Sequence, residues 1–292
     1  MSMQRLVGRS LQEGQVCPNS FDVFKTDLGN GELEYSVRPV VHWHEVATLD
    51  DWALLQYRQQ QQDPELLEQR RERSQRKAAQ RAKRKLRQVC KKAGFTDLLT
   101  LTYRANVADR DLVVRHLKEF HRRMKRLIPG WQYCAVLEKQ KRGALHVHLA
   151  IHKVPPTLPA RNGVKVKSFN VVRAVWLSIV GELGGNIDIS RSRKARRGCG
   201  VSQLAGYLSK YIAKAIGEGE DFKRSYFASR DLTPPKAQRI RFDGYTLIDV
   251  VDLIYDEIPC GFSEQRRAGL TPGGGFWVFH SPPGHTRQPV WH

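Results

Sequence analysis

The chain has 292 residues, 40% of them hydrophobic, which is enough to bury a real core in one catalytic domain with additions or in two small domains. Its formal net charge of +20 and isoelectric point near 10.0 point to a polyanionic partner, nucleic acid ahead of an acidic membrane surface. No run is apolar enough to span a bilayer and the opening MSMQRLVGRSLQEGQ lacks a signal-peptide core, so a cytoplasmic location without membrane contact is expected. The five cysteines (Cys17, Cys90, Cys134, Cys199, Cys260) are scattered without zinc-ligand spacing, which argues against a disulfide framework and against a zinc finger.

Residues 1–50 mix Gly, Asn and Pro with short apolar runs. His42 and His44 alternate there along a short strand-like stretch and read as surface or core histidines. Residues 53–92 are helical in pattern, Gln-rich and then very basic, with one break at Pro64. From Gln69 to Lys92 the stretch holds twelve Lys or Arg against one Glu, and its apolar residues are too sparse for a buried stripe. A solvated helix face is the plain reading. With the overall charge, phosphate-backbone contact through Arg70, Arg71, Arg73, Lys83, Arg84 and Lys85 is the stronger one.

Phe95 to Asn106 (FTDLLTLTYRAN) is β-rich and reads as a central strand. Val113, Leu117, Phe120, Met124 and Leu127 then recur at helical spacing until Pro129-Gly130 stops them. A strand from Trp131 to Glu138, a hairpin turn at Lys139–Ala144 with Gly143, and a strand LHVHLAI follow. In that last strand alternate residues share a face. Leu145, Val147, Leu149 and Ile151 therefore form an apolar floor, and His146, His148 and His152 lie on the opposite, polar side. His152 reads as a simple strand-end histidine. A helix around NVVRAVWLSIVGELGG, a short strand NIDIS and a basic loop RSRKARRGCG come next. After Gly217 few stretches are periodic, and TPGGGFWV lacks the Lys-Ser/Thr of a phosphate-binding loop.

Residues 201–216, VSQLAGYLSKYIAKAI, carry the other half of a site. At about 100° per residue Val201, Leu204, Ala205, Leu208, Ile212 and Ile216 form the packing side, and Tyr207, Lys210, Tyr211 and Lys214 gather on the adjacent stripe. A surface stripe would look similar, but Tyr-x-x-Lys occurs twice in register. It also follows a carboxylate–His–x–His set that lacks a nucleophile. A phenol near pKa 10 attacks poorly at neutral pH, so a nearby lysine and a metal on the target group would have to activate it. His146, His148 and Glu138 would hold that divalent cation, Mg²⁺ or Mn²⁺, with open positions for phosphodiester oxygens. Attack by the phenolic oxygen would cut a DNA strand and leave its 5′ end on the protein.

These motifs resemble those of the HUH endonucleases, in particular the replication initiators of rolling-circle plasmids and single-stranded-DNA phages. LLTLTYRAN is similar to the first motif, LHVHLAI to the His–hydrophobe–His motif with Glu138 as a third ligand, and YLSKYIAK to the tyrosine motif of two-tyrosine initiators. The EKQKRGALHVHL and WLSIVGELGG segments resemble the filamentous-phage and related plasmid proteins most. The resemblance covers residues 85–216. It implies an α+β fold, a central antiparallel sheet with flanking helices like an RNA-recognition domain, here with a basic helical N-terminal extension. The domains expected are 1–90 with the basic arm, 91–220 as the catalytic domain, and 221–292 as a C-terminal extension.

The function implied is a metal-dependent nicking and joining enzyme acting on single-stranded DNA at a replication origin in a bacterial host cell. With no Walker-type loop, a host helicase is an expected partner. Tyr211, beside Lys210, Lys214 and Tyr207, reads as the residue most enclosed in positive charge. A transposase of the same superfamily stays open as an alternative. So does a non-catalytic DNA-binding copy-control protein, though it would be expected to have lost a ligand or both tyrosines.

Overall fold

A computed structural model of the chain describes residues 3–29, 31–159, 163–191, 200–217, 226–258, 265–271 and 273–281, with the backbone alone at 191, 200, 202, 203, 213–217, 265 and 266. The elements begin with β1 (Met3–Val7), β2 (Ser10–Gly29), β3 (Glu32–Thr48), α1 (Asp51–Gln60) and α2 (Pro64–Ala93). They continue with β4 (Asp97–Tyr103), α3 (Arg110–Leu127), β5 (Tyr133–Lys139), β6 (Leu145–Ile151), β7 (Thr157–Pro159), β8 (Lys165–Lys167), α4 (Ser168–Val180) and β9 (Gly185–Arg191). The last are α5 (Gly200–Gly217), β10 (Phe227–Ala228), β11 (Gln238–Asp243), α6 (Leu247–Glu257), β12 (Gln265–Leu270) and β13 (Phe276–Ser281). Among the described residues no helix is long and apolar enough to cross a membrane.

The fold is α+β, and the chain divides into two compact units, residues 1–74 with 235–283 and residues 75–234 with 284–292. The boundaries read from sequence at 90 and 220 divide it differently. What reads as a separate N-terminal region and a separate C-terminal extension is largely one sheet.

In the unit from residue 75, five strands run in the order β10-β5-β6-β4-β9, every neighbouring pair antiparallel. Asp109 caps α3 by accepting from the backbone N–H of Asp111 and Leu112. Val113, Leu117, Phe120 and Met124 of α3 and Val172, Trp176 and Val180 of α4 are buried against Leu99, Leu101, Val147, Leu149 and Ile151 of the sheet. Each such side chain contributes about 1.5–3 kcal/mol of burial.

The second face of the sheet is covered as well. Leu204, Ala205, Leu208 and Ile212 of α5 pack with Leu86, Val89 and Cys90 at the end of α2, over Cys134, Val136 and Ala150. This corrects two expectations. The end of the basic stretch does have a buried face, with Lys91 itself 4% exposed, because Leu86, Val89 and Cys90 recur at helical spacing. The histidine side of β6 is also a second core, open to solvent only at one end.

A tight contact holds β4 to β9 on the α4 side. The Trp176 indole N–H donates to the Thr102 carbonyl at 2.9 Å. A Cβ on Gly185 would stand 2.5 Å from that carbonyl oxygen and 2.8 Å from the indole nitrogen. Gly185→Ala should therefore force strand and indole apart and lower stability by about 1–3 kcal/mol. A thermal melt of the purified variant checks this, and an unchanged midpoint refutes the close approach.

The other unit is a six-stranded sheet ordered β1-β2-β3-β13-β12, with β11 pairing on β2. The strands β2 and β3 form a long irregular hairpin on which His42 and His44 alternate and are exposed or half-exposed. Phe21, Val23, Tyr35, Val37 and Val278 make a core with Val250, Ile254 and Ile258. The first two of those last three belong to α6, which opens on a reciprocal Thr246–Asp249 capping box and is capped at its other end by Ile258.

Candidate active site

The hairpin between β5 and β6 sets the site. Its turn closes through the Gln140 N–H on the Ala144 carbonyl at 2.8 Å and the Gly143 N–H on the Gln140 carbonyl at 2.8 Å. Gly143 takes φ +88°, a conformation that a side chain disfavours. The strand on its N-terminal side spans Tyr133–Lys139, two residues later than Trp131 where the sequence pattern starts it. The resulting register puts Glu138 directly opposite His146 and Val136 opposite His148, so Glu138 is diagonal to His148.

His148 is held on every side. Its Nδ1 is 3.1 Å from the Thr100 hydroxyl on β4, directly across the ladder, and its Nε2 is 2.8 Å from a Glu138 carboxylate oxygen. Nε2–H donates to the carboxylate, so Nδ1 accepts from Thr100. The ring is 5% exposed. This overturns the expectation that His148 could be truncated with the fold nearly intact.

His146 is the complement. Its Nδ1 meets the Gln140 side-chain amide at 2.9 Å. Its Nε2 is buried with no hydrogen-bond partner. Burial, then the neighbouring His148, pulls its pKa below the ordinary imidazole range, with Glu138 opposing and Arg142 adding to the fall. The ring is thus kept neutral with one lone pair unused, the state a metal ligand needs.

On α5 both tyrosines reach His148. The Tyr211 ring stacks on it at 4.5 Å with an interplanar angle of 10°, and Tyr207 stands edge-on to it at 6.2 Å. The Tyr211 hydroxyl donates to the Tyr207 hydroxyl at 2.5 Å. Tyr211 is half-buried and Tyr207 is 38% exposed. The Tyr211 phenol is held well above its usual range, first by burial, then by the bond to Tyr207 and the charge of Glu138. That reverses the expectation of a phenol enclosed in positive charge. Lys210 is exposed, and the Lys214 side chain lies outside the described residues.

The structure therefore brings together Glu138, His146, His148, Tyr207 and Tyr211. Among the described residues no three His, Cys, Asp or Glu side chains already stand as a closed metal-binding set, because Glu138 is engaged with His148. The orphaned Nε2 of His146 directly across from Glu138 is what fits a cation there. Thr100 and Gln140 join the site without any motif to mark them. The only signal for Thr100 is its alternation with Leu99 and Leu101, which places it on the histidine side of the sheet. Glu138, Gln140, Lys141 and Arg142 line an open depression of about 460 Å³ beside the hairpin.

His152, just past the end of β6, packs edge-on against Phe95 at 4.8 Å and burial lowers its pKa. On α2, Arg70, Arg71, Arg73 and Lys85 are exposed, and Lys83 and Arg84 are half-buried.

Residues 96–216 match the model of a family described as replication-associated protein ORF2. The stretch begins in the strand that carries Thr100 and ends in the helix that carries both tyrosines. It supports a replication-associated protein of the Rep type. No curated protein and no solved structure matches the chain.

Proposed function

We propose that the protein is a metal-dependent, site-specific single-stranded DNA endonuclease and strand transferase that initiates rolling-circle replication through a 5′-phosphotyrosine intermediate. The observation that carries this reading is the stacking of Tyr211 on His148, with Tyr207 bonded to Tyr211. Two potential nucleophiles and a carboxylate–imidazole cluster meet at one spot, within the stretch that matches the replication family. On this reading the protein is an HUH endonuclease, and a host helicase supplies unwinding.

In the forward step the Tyr211 oxygen attacks the phosphorus of a bound strand. The Tyr211 O–P bond forms, the P–O3′ bond breaks, and the departing 3′ oxygen takes up a proton. Because Tyr211 remains a phenol before attack, its proton leaves during the step, and the Tyr207 hydroxyl already accepts its hydrogen bond. His146, His148 and Glu138 would hold Mg²⁺ or Mn²⁺, which when bound supplies charge to the phosphodiester and to the leaving oxygen. Thr100 and Gln140 orient the two imidazoles through their Nδ1 atoms. The phosphotyrosine retains the ester, so a 3′ hydroxyl can rejoin the strand. Tyr207, more exposed and one helical turn away, is the residue to receive a second strand.

Incubating the protein with labelled single-stranded fragments of its own replicon tests the reading. A discrete nick with a protein-linked 5′ end should form with Mn²⁺ and not with EDTA. Uncut DNA under both conditions overturns it.

The basic face of α2 is proposed to follow the DNA backbone. Arg70, Arg73 and Lys85 are exposed. Replacing all three by Gln should lower the slope of log affinity against log salt by about 0.7 for each phosphate that the protein no longer neutralises on single strands. Cleavage of a short saturating oligonucleotide should survive. An unchanged slope assigns this segment to solvent.

A further inference from the structure

Among the described residues the sheet of the flanking unit has α6 on one face only, and its other face carries a pattern the catalytic reading does not use. Register places Arg239, Phe24, Ser36, Trp277 and Gly269 in one row across β11, β2, β3, β13 and β12. Arg241, Asp22 and Arg38 form the next row on that face. Asp22 accepts from Arg239 at 2.8 Å and from Arg241 at 2.9 Å, which holds both guanidinium groups upright on the sheet while their remaining N–H groups face outward. The Arg38 guanidinium lies 4.9 Å from the centroid of the Phe24 ring. Trp277 is 37% exposed, and its indole lies across the outer strand because a Cβ on Gly269 would come within 3.1 Å of the indole nitrogen. The row beyond, Thr26 and Glu34, is buried, so the open area runs outward from Phe24 and Trp277.

We propose that this face is a second binding site for single-stranded nucleic acid, separate from the tyrosine site. Three arginines with one carboxylate leave a net positive surface for phosphates, and an exposed indole set among them offers a stacking platform for an unpaired base. A duplex hides its base faces, so an aromatic platform selects single strands. An acidic peptide would be attracted by the arginines and would leave the flat indole unused. The proposal stands on this face alone and does not rest on the nicking reading.

The test uses the intact protein in EDTA, where no cleavage occurs, with fluorescent oligothymidylate, oligouridylate and duplex DNA followed by anisotropy. Trp277→Ala should weaken binding of either single strand on the order of tenfold and leave the duplex nearly unaffected. Arg38→Gln, at an exposed position, should reduce the salt slope for single strands by about 0.7. The oligothymidylate and oligouridylate arms tell DNA from RNA. The site is ruled out if Arg38→Gln leaves the slope unchanged, or if a Trp277→Ala protein with a parent-like melting curve binds single strands within about twofold of the parent. Equal loss on the duplex, or displacement by polyglutamate at lower charge than oligothymidylate requires, also overturns it. Because the readout is binding without metal, failure here leaves the nicking chemistry untouched, and failure of nicking leaves this site untouched.

Discussion

Tyr211→Phe should bind a single-stranded origin oligonucleotide as the parent does and form no covalent adduct, with a loss of cleavage on the order of 10⁴-fold or more, as for removal of other enzymatic nucleophiles. The substitution removes one hydroxyl whose hydrogen bond is to Tyr207, so stability should change by only about 1 kcal/mol. The ring that stacks on His148 is retained. Tyr207→Phe should still form the first adduct, because Tyr211 keeps its place against His148 and Glu138, and should fail at strand transfer after a full round of replication. The two phenols touch, so they cannot both occupy one in-line attack position. Peptide mass spectrometry of the wild-type adduct decides between them. An adduct on Tyr207 alone reverses the roles, and an adduct on neither removes the nicking reading.

His148→Ala and His146→Ala should be equally inactive yet differ in stability. Truncating His148 leaves the Glu138 carboxylate and the Thr100 hydroxyl without the partner that they share, and it removes the ring under Tyr211. Unsatisfied buried groups cost about 1–3 kcal/mol each and an aromatic pair about 0.5–1.5 kcal/mol, so a total near ~3 kcal/mol is expected. His146 forms one side-chain hydrogen bond, to Gln140, and its loss should cost about 1 kcal/mol. Thermal melts beside cleavage across an Mn²⁺ series make the comparison. Full cleavage by His146→Ala at the parent's Mn²⁺ requirement would sink the ligand assignment, and equal melting points for the two variants would sink the account of His148 as the buried hub.

Where the signal is local, the residues alone suffice. The amphipathic spacing of Val113, Leu117, Phe120 and Met124, the alternation of LHVHLAI and the doubled Tyr-x-x-Lys each specify an element and a face within a few residues. The structure has a helix, a strand and a helix at those places. His146, His148, Glu138, Tyr207 and Tyr211 are legible for the same reason. Other features depend on partners far along the chain and emerge only on folding. Val37 meets Phe276 and Phe24 meets Arg239 across more than two hundred residues, so no local pattern could show that the two ends of the chain build one sheet. Thr100 bonds His148 only because β4 and β6 take one particular register. The raised pKa of Tyr211 likewise depends on which charge folding brings near it: Glu138 acts on the phenol, while Lys210, its neighbour in sequence, stays in solvent. Helical and strand periodicity belongs to the local backbone, whereas burial, register and the field at a side chain belong to whatever packs against it.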